Sequence, residues 1–536
     1  LTLGNDSTDQ LLFAGGLSAT APSAVNAAGV ISTTGTAMTL GDSNTALTLL
    51  NNTTLSTGVG DITLGGSVTG AYDFVLNSEG VTTVKSTVNV ASFKTDVSGS
   101  SINPAASGNK VFVQGGSITT SGDMQFAELV LLDKADITTN RITTLTSTNG
   151  QVGFGGAIHN ANSAVQQDLV INAANYSVKF AGSVGDTAAA SGALRSLVVN
   201  SPLTRIQGGS VTTQGGQHYG GWVVLDKTDT SVDTITTMTT DAGAVLFDGA
   251  IRNAISTAPQ SLTINAANYP VTFSGALGEG TNSSSGALGA LEVNTADVTT
   301  FSQAVYAASV MTDVSVVNVT AANNKVVIQG GLISTSGLRS YKEPITFGVS
   351  PPATSTTLAS SADTLQFVCI ADGGTAQNLN LSSALALALK DIDIGGDLHI
   401  TTKSTGVTQA AGSLRVGGTT TFIADTGTAQ DAVLTTANNH LVGKVTFDQT
   451  NSGSWRNVSL TSDTALSLGP LQSGGAVLLD AQGAVTTDSN MSVSNNLSIT
   501  THGGAIALGS TTVSGAVALD TSIRDVHGVA TGGGAV

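Results

Sequence analysis

The hexapeptide INAANY occurs twice in this chain, beginning at Ile171 and at Ile264, in the longer settings INAANYSVKFAG and INAANYPVTFSG. The copies belong to a longer match, since residues 132–185 can be laid on 225–278 without a gap. LDKAD at Leu132 meets LDKTD at Leu225, and FGGAIHNA at Phe154 meets FDGAIRNA at Phe247. A further landmark recurs three times: VQGGSITTSG at Val113, IQGGSVTTQG at Ile206 and IQGGLISTSG at Ile328. The longer gap before the third copy holds FSQAVYAASVMTDVSVVNVTAANNKVV, which resembles VNVASFKTDVSGSSINPAASGNKVF before the first. Whole blocks are added or dropped, and such self-similarity points to a solenoid or another repeat array.

Inside the blocks the segments are short: VLLD, ITTLTS, VGFGG, LVINA, YSVKFAG and SLVVN. They alternate with period two, are rich in β-branched residues and are bounded by Gly, Asn, Asp or Ser, the marks of half-buried strands. The best helical candidate, SSALALALKDIDIGG from Ser382, also alternates with period two and reads as a strand. The expected fold is all-β, a right-handed parallel β-helix with loop excursions and little or no helix. Repeated turn residues such as NAAN suit rungs in which like residues stack and Asn forms ladders. Blade signatures of propellers are missing. INAANY is then one strand and turn of a rung, met again about four coils later. With about 22 residues per rung and about 4.8 Å between strands, the expected span is on the order of 110 Å.

Composition excludes several classes. Only 10% of the 536 residues are charged, 4% are aromatic and 64 are Gly, against about 25% charged in an ordinary domain. The wealth of Val, Ile and Leu at burial spacing argues against disorder. A net charge of −17 with 19 scattered Lys and Arg gives no basic patch for nucleic acid. No run of about 20 apolar residues is present, so no transmembrane helix is expected. The lone cysteine, Cys369 in LQFVCI, reads as a small buried hydrophobe on a strand. The acidic, hydroxyl-rich balance suits a protein outside a cell. A start at Leu1 and a finish in GVATGGGAV suggest a piece of a longer exported chain.

The expected organisation is N-terminal coils over 1–110, a first repeat block over 111–205 and a second with extra coils over 206–328. A partial third block with a Pro-rich loop follows over 329–364, then more regular coils over 365–536. The loop is read from YKEPITFGVSPPATSTTLASSAD, which carries three of the nine prolines and no strong strand after ITFG.

Segments such as GGSVTTQGGQHYGG, GAVLFDGAIRN, LTTANNHLVGKVTF and ALSLGPLQSGGAVLLDAQGAVTT resemble the β-strand repeats of filamentous-haemagglutinin-like bacterial exoproteins. These are surface proteins exported by two-partner or autotransporter routes. The resemblance covers nearly the whole chain and implies a right-handed β-helix, export and a surface role. It carries over no ligand site.

Candidate chemistry is sparse. Carboxylates cluster at Asp133-Lys134 with Asp136, at Asp226-Lys227 with Asp229, and at Asp391 with Asp393. The first two groups are repeat equivalents, whereas a catalytic centre is usually made once. A solvated turn with a local ion pair explains them better than a polysaccharide lyase or hydrolase, so no enzyme is expected. The six His (His159, His218, His399, His440, His502 and His527) lack zinc-site spacing. Neither an EF-hand loop nor a phosphate loop is present. No cofactor is expected, although acidic turns offer Ca²⁺ adventitious sites. Tyr219 and Trp222 in GGQHYGGWVVLD, and Trp455 in SGSWRNVSL, are candidate glycan or partner contacts, as are Pro351 and Pro352. The plainer reading makes Trp222 the start of the VVLD strand. The expected function is a self-associating structural rod at a bacterial surface, with glycan adhesion through projecting loops as the alternative. Neither terminus carries an evident cap, so end-to-end docking is also expected.

Overall fold

A computed structural model describes residues 1–20, 22–97, 108–134, 141–162, 165–185, 192–227, 235–255, 257–280, 286–315, 323–348, 355–374, 376–409, 411–524 and 530–535. The described chain is all-β, and its strands, apart from one antiparallel pair near the end, pair in parallel as a β-solenoid. It divides into two compact units, Leu1–Leu288 and Gly289–Val536.

In the first unit three strands make one turn. Lys110–Val113, Ser117–Thr120 and Met124–Phe126 are followed by Leu129–Leu132, Ile142–Ser147 and Val152–Phe154. Next come Ile158–Asn160, Asp168–Asn172 and Ser177–Phe180. Each strand pairs with its counterpart a turn later, giving three faces. Alternation decides what goes inside: Lys110–Val113 buries Val111 and Val113, and Ile142–Ser147 buries Thr143, Leu145 and Ser147. Turns are not equal. Lys110 registers with Leu129 but Val130 with Ile158, advances of 19 and 28 residues. The corners absorb the difference.

Two devices hold the turns together. One inner column is aromatic: Phe126 stacks on Phe154 with centroids 5.3 Å apart, Phe154 lies 5.5 Å from Phe180, and all three are buried. Such pairs add about 0.5–1.5 kcal/mol each beyond their burial. The other device is a column of corner glycines. A Cβ at Gly182 would lie 2.4 Å from the carbonyl carbon of Gly156, and one at Gly208 would lie 2.0 Å from the oxygen of Gly182. Only glycine lets successive corners approach so closely.

The two INAANY copies do not sit on one face. Asp168–Asn172 holds the column that continues through Ser196–Asn200, Gln217–Tyr219, Val245–Phe247 and Val271–Phe273. Ser261–Asn265 instead extends Ser210–Thr213 and Ile235–Thr240, reached from Ile158 through bridges at Val184 and Val211. The block is therefore not a whole number of turns, which corrects the expectation that like residues stack. A strand needs only its partner one turn away, and a copied block carries that partner with it. The Asn ladder is real but local, with Asn200 Nδ2 donating to Asn172 Oδ1 at 2.8 Å.

In the second unit the faces run through Ser355–Ser360, Asn378–Ser383, Leu398–Thr402 and Thr420–Asp425; through Leu387–Leu389, Gly406–Gln409 and Ala429–Leu434; and through Cys369–Ala371, Asp391–Ile394 and Leu414–Val416. The single strand expected from Ser382 is thus divided into the end of Asn378–Ser383 and the whole of Leu387–Leu389 and Asp391–Ile394. The Pro-rich loop is shorter than expected, because Ser355–Ser360 is a strand in register with both neighbours. Cys369 lies on a strand, but Ile370 takes the inward place and Cys369 is only half-buried. One face is also partly covered near the last turn: Ser522–Arg524 pairs antiparallel with Ala530–Gly533, and the Ile506 N–H donates to the Ala535 carbonyl at 2.8 Å.

Candidate functional site

An outward column runs along the face of Met124–Phe126 in the first unit. Lys94 registers with Gln125, Gln125 with Gly153, Gly153 with Lys179 and Lys179 with Arg205. Arg205 continues through Val224 to Arg252. Every charged member is cationic, in a chain of net charge −17. Arg205 lies 3.5 Å from Asp226, and Arg252 lies 2.6 Å from Glu279. Among the described residues neither Lys94 nor Lys179 has an ion-pair partner.

Between those two lysines runs a groove of about 510 Å³, lined also by Gln125, Gln151 and Gly153. Gly153 is not required by its backbone, since a Cβ there would meet only Gln125 Cγ at 3.9 Å. Its missing side chain makes the notch, and a strand glycine of this kind marks a place of close approach. Three turns separate the lysines, on the order of 14 Å at about 4.8 Å per turn. The arrangement suits an extended anion.

The expected contact residues fare differently. Trp222 is 48% exposed, opens Trp222–Leu225 and carries the Arg252 guanidinium 3.9 Å above its ring. Tyr219 is fully buried, stacked 5.1 Å from Phe247, and its hydroxyl donates to Gln217 Oε1 at 3.1 Å. Burial pushes the Tyr219 pKa up. Trp455 is buried too, edge-on to Phe447, with Nε1 donating to the Asp448 carbonyl at 2.9 Å. Tyr219 and Trp455 are core residues and present no surface to a glycan. Pro351 and Pro352 lie outside the described residues, as do Asp136, Asp229 and His527.

The duplicated Asp-Lys pairs do one structural job twice. Gln114 Nε2 donates to Asp133 at 2.7 Å and Gln207 Nε2 to Asp226 at 2.9 Å. The Lys134 and Lys227 N–H groups donate to Gln167 and Gln260 at 3.0 and 2.9 Å. The bond that joins turns is therefore Gln–Asp; the expected local ion pairs draw on groups that include Asp136 and Asp229, outside the described residues. Sequence reasoning missed these glutamines, although QGG recurs before each. In the second unit Asp391 accepts from the Ser413 N–H at 2.8 Å. Asp393, Arg415 and His440 line a second groove of about 450 Å³. His218, His440 and His502 each meet one aspartate, at 2.8, 2.9 and 2.8 Å. No group of three or more metal-ligating side chains occurs among the described residues.

Fold and surface together define a repeat protein of the parallel β-solenoid class. A family described as repeats of unknown function (DUF5649) matches residues 376–448 and 456–520, within the second unit. No curated protein matches the chain, and no solved structure does.

Proposed function

We propose that this chain is the structural rod of an exported, filamentous-haemagglutinin-like bacterial surface protein. It serves as a stalk, extracellular fibre or surface-layer element, and it self-associates. The observation that carries the reading is where the hydrogen-bonding capacity goes: neighbouring turns bond one another. Asn200 donates to Asn172 and Asn172 to Thr146 at 3.3 Å, while Gln114 and Gln207 clip successive turns. A surface built from such ladders is stiff and sparsely charged, which suits lateral packing of copies. Small-angle scattering and negative-stain imaging across concentration test it. Rods that associate as concentration rises are expected, and a compact monomeric globule in every condition overturns the reading.

Adhesion to an anionic surface glycan is the second reading, favoured by the Lys94–Lys179 groove. A carboxylated glycan should lose affinity for Lys94→Ala/Lys179→Ala at low salt, and equal binding removes this reading. The Pro-rich segment is testable separately by deleting residues 349–354, which spares the strand Ser355–Ser360.

A further inference from the structure

Two buried carboxyl pairs recur in the chain, and their aspartates keep the same kinds of partner. Asp96 is 4% exposed and Glu128 2%, and the two carboxyl groups interact directly. Asp96 also accepts from the Ser78 N–H at 2.8 Å and from Asn109 Nδ2 at 2.6 Å, while Thr95 Oγ1 donates to Glu128 Oε2 at 2.8 Å. In the other copy Asp313 and Glu343 are each 1% exposed and interact likewise. Asp313 accepts from the Thr295 N–H at 3.2 Å and from Asn324 Nδ2 at 2.6 Å. Even the backbone agrees: both aspartates take left-handed φ values, 48° and 56°. Both donate their N–H groups at 2.8 Å one turn back, to Leu76 and Val293.

The protein partners of each aspartate are donors, an arrangement that suits carboxyls and leaves little for a cation to coordinate. Two touching carboxyls in a poorly solvated place cannot both ionise, so the pair keeps a proton. The placement gives that proton a task. Asp96 directly follows the strand Ser92–Thr95, and Asn109 directly precedes the strand Lys110–Val113. Asp313 and Asn324 stand at the corresponding points before and after 316–322. Glu128 and Glu343 come from the following turn.

We propose that the two carboxyl pairs are proton-operated clasps, each fastening the end of one strand and the approach to the next to the following turn while protonated. Loss of the proton places two like charges at the junction and loosens it. The facing charges are few. Glu79 adds to the repulsion at the first pair, with Lys94 and Lys110 on flanking strands in outward places. Lys342 opposes the repulsion at Asp313, and Tyr341, which also neighbours Arg339, faces Glu343.

Burial first and the neighbouring aspartate second push Glu128 up to about 8 and Glu343 up to about 7, from an ordinary 4.5. A raised carboxyl pKa means that the native state holds the extra proton. The stabilisation is complete below about pH 4.5 and is lost as pH rises through about 7 to 8. In that window each pair weakens the junction by up to about tenfold per pH unit.

The test is hydrogen exchange of the full chain from about pH 5 to about pH 9, corrected for intrinsic rates, beside Glu128→Gln/Glu343→Gln. The amide keeps the donor to aspartate and the acceptor for Thr95 but cannot ionise. Wild-type protection at Ser78, Asp96, Thr295 and Asp313 should fall with pH, and the variant's should stay level. Equal slopes in both proteins overturn the proposal. Should the variant fail to fold, infrared spectroscopy of the wild type decides. A protonated-carboxyl band that disappears between neutral and alkaline pH supports the clasps, and its absence at neutral pH overturns them.

Discussion

The turns of residues 110–184 advance by 19, 28 and 26 residues, at Lys110 to Leu129, Val130 to Ile158 and Ile158 to Val184. The last turns of the second unit advance by 19, 20 and 20, at Val458, Val477, Leu497 and Val517. Their cores differ as well. The first stretch stacks Phe126, Phe154 and Phe180, whereas the second stacks the buried Leu460, Leu479 and Ile499. Both keep parallel register on their faces, so register does not depend on turn length. Extra residues leave at corners, where a β-helix tolerates them, and loop entropy grows only slowly with length. A repeat family matches 456–520, where the advance is nearly constant.

The sharpest way to break the comparison is to empty the aromatic column. Phe154→Ala removes a buried ring stacked on both sides, at a cost of about 3–5 kcal/mol. Leu479→Ala removes a smaller side chain, at about 2–5 kcal/mol, and should fall below Phe154→Ala in that range. Denaturant unfolding followed separately for the two units checks both. Because a solenoid turn contacts mainly its neighbours, each loss should be felt in its own unit. An equal shift of both transitions by either variant would remove that local picture.

A smaller effect separates two kinds of glycine. At Gly182 a methyl group would collide with the backbone of Gly156, so Gly182→Ala should cost about 1–3 kcal/mol, the range for overpacking. At Gly153 the nearest atom is 3.9 Å away, and Gly153→Ala should be neutral or mildly stabilising in a strand. Thermal melts of both variants decide whether the corner column, rather than glycine content as such, holds the turns close.

Much of this was legible in the chain. The strands are plain in LVINA and VLLD because alternation reports burial directly. Tyr219 was legible too, though not from its local setting. Among glycines it looks like a surface aromatic, but it stands 93 positions after Phe126, as Phe247 stands after Phe154 and Phe273 after Phe180. The repeat therefore places it in a second inward aromatic column, Tyr219–Phe247–Phe273, on another face. Faces were not legible, since a block that is not a whole number of turns leaves no local mark of its rotation. The carboxyl clasps were hidden for a related reason: Thr-Asp and Asn-Lys repeat visibly, but Glu128 joins Asp96 only through the length of an irregular turn. The basic column was hidden likewise, because Lys94, Lys179, Arg205 and Arg252 look scattered until register aligns them.

The smallest predicted effect concerns the one expected contact aromatic that stays at the surface. Trp222 is half exposed, and Arg252 covers its ring at 3.9 Å while also meeting Glu279. An exposed cation–π contact contributes about 0.5–1 kcal/mol, so Trp222→Ala should lower stability by no more than that, and Trp222→Phe by less. If Trp222 serves stacking within the protein alone, Trp222→Ala and Arg252→Ala should give the same small shift, and the double variant nearly the same again. Any glycan affinity of the Lys94–Lys179 groove should then be untouched. A ligand that stacked on the indole would have to displace Arg252 and break its contact with Glu279. In that case Arg252→Ala should raise affinity while Trp222→Ala abolishes it. A double-mutant cycle read both by melting and by glycan titration separates the two outcomes, because the first predicts coupling in stability alone and the second opposite signs in binding.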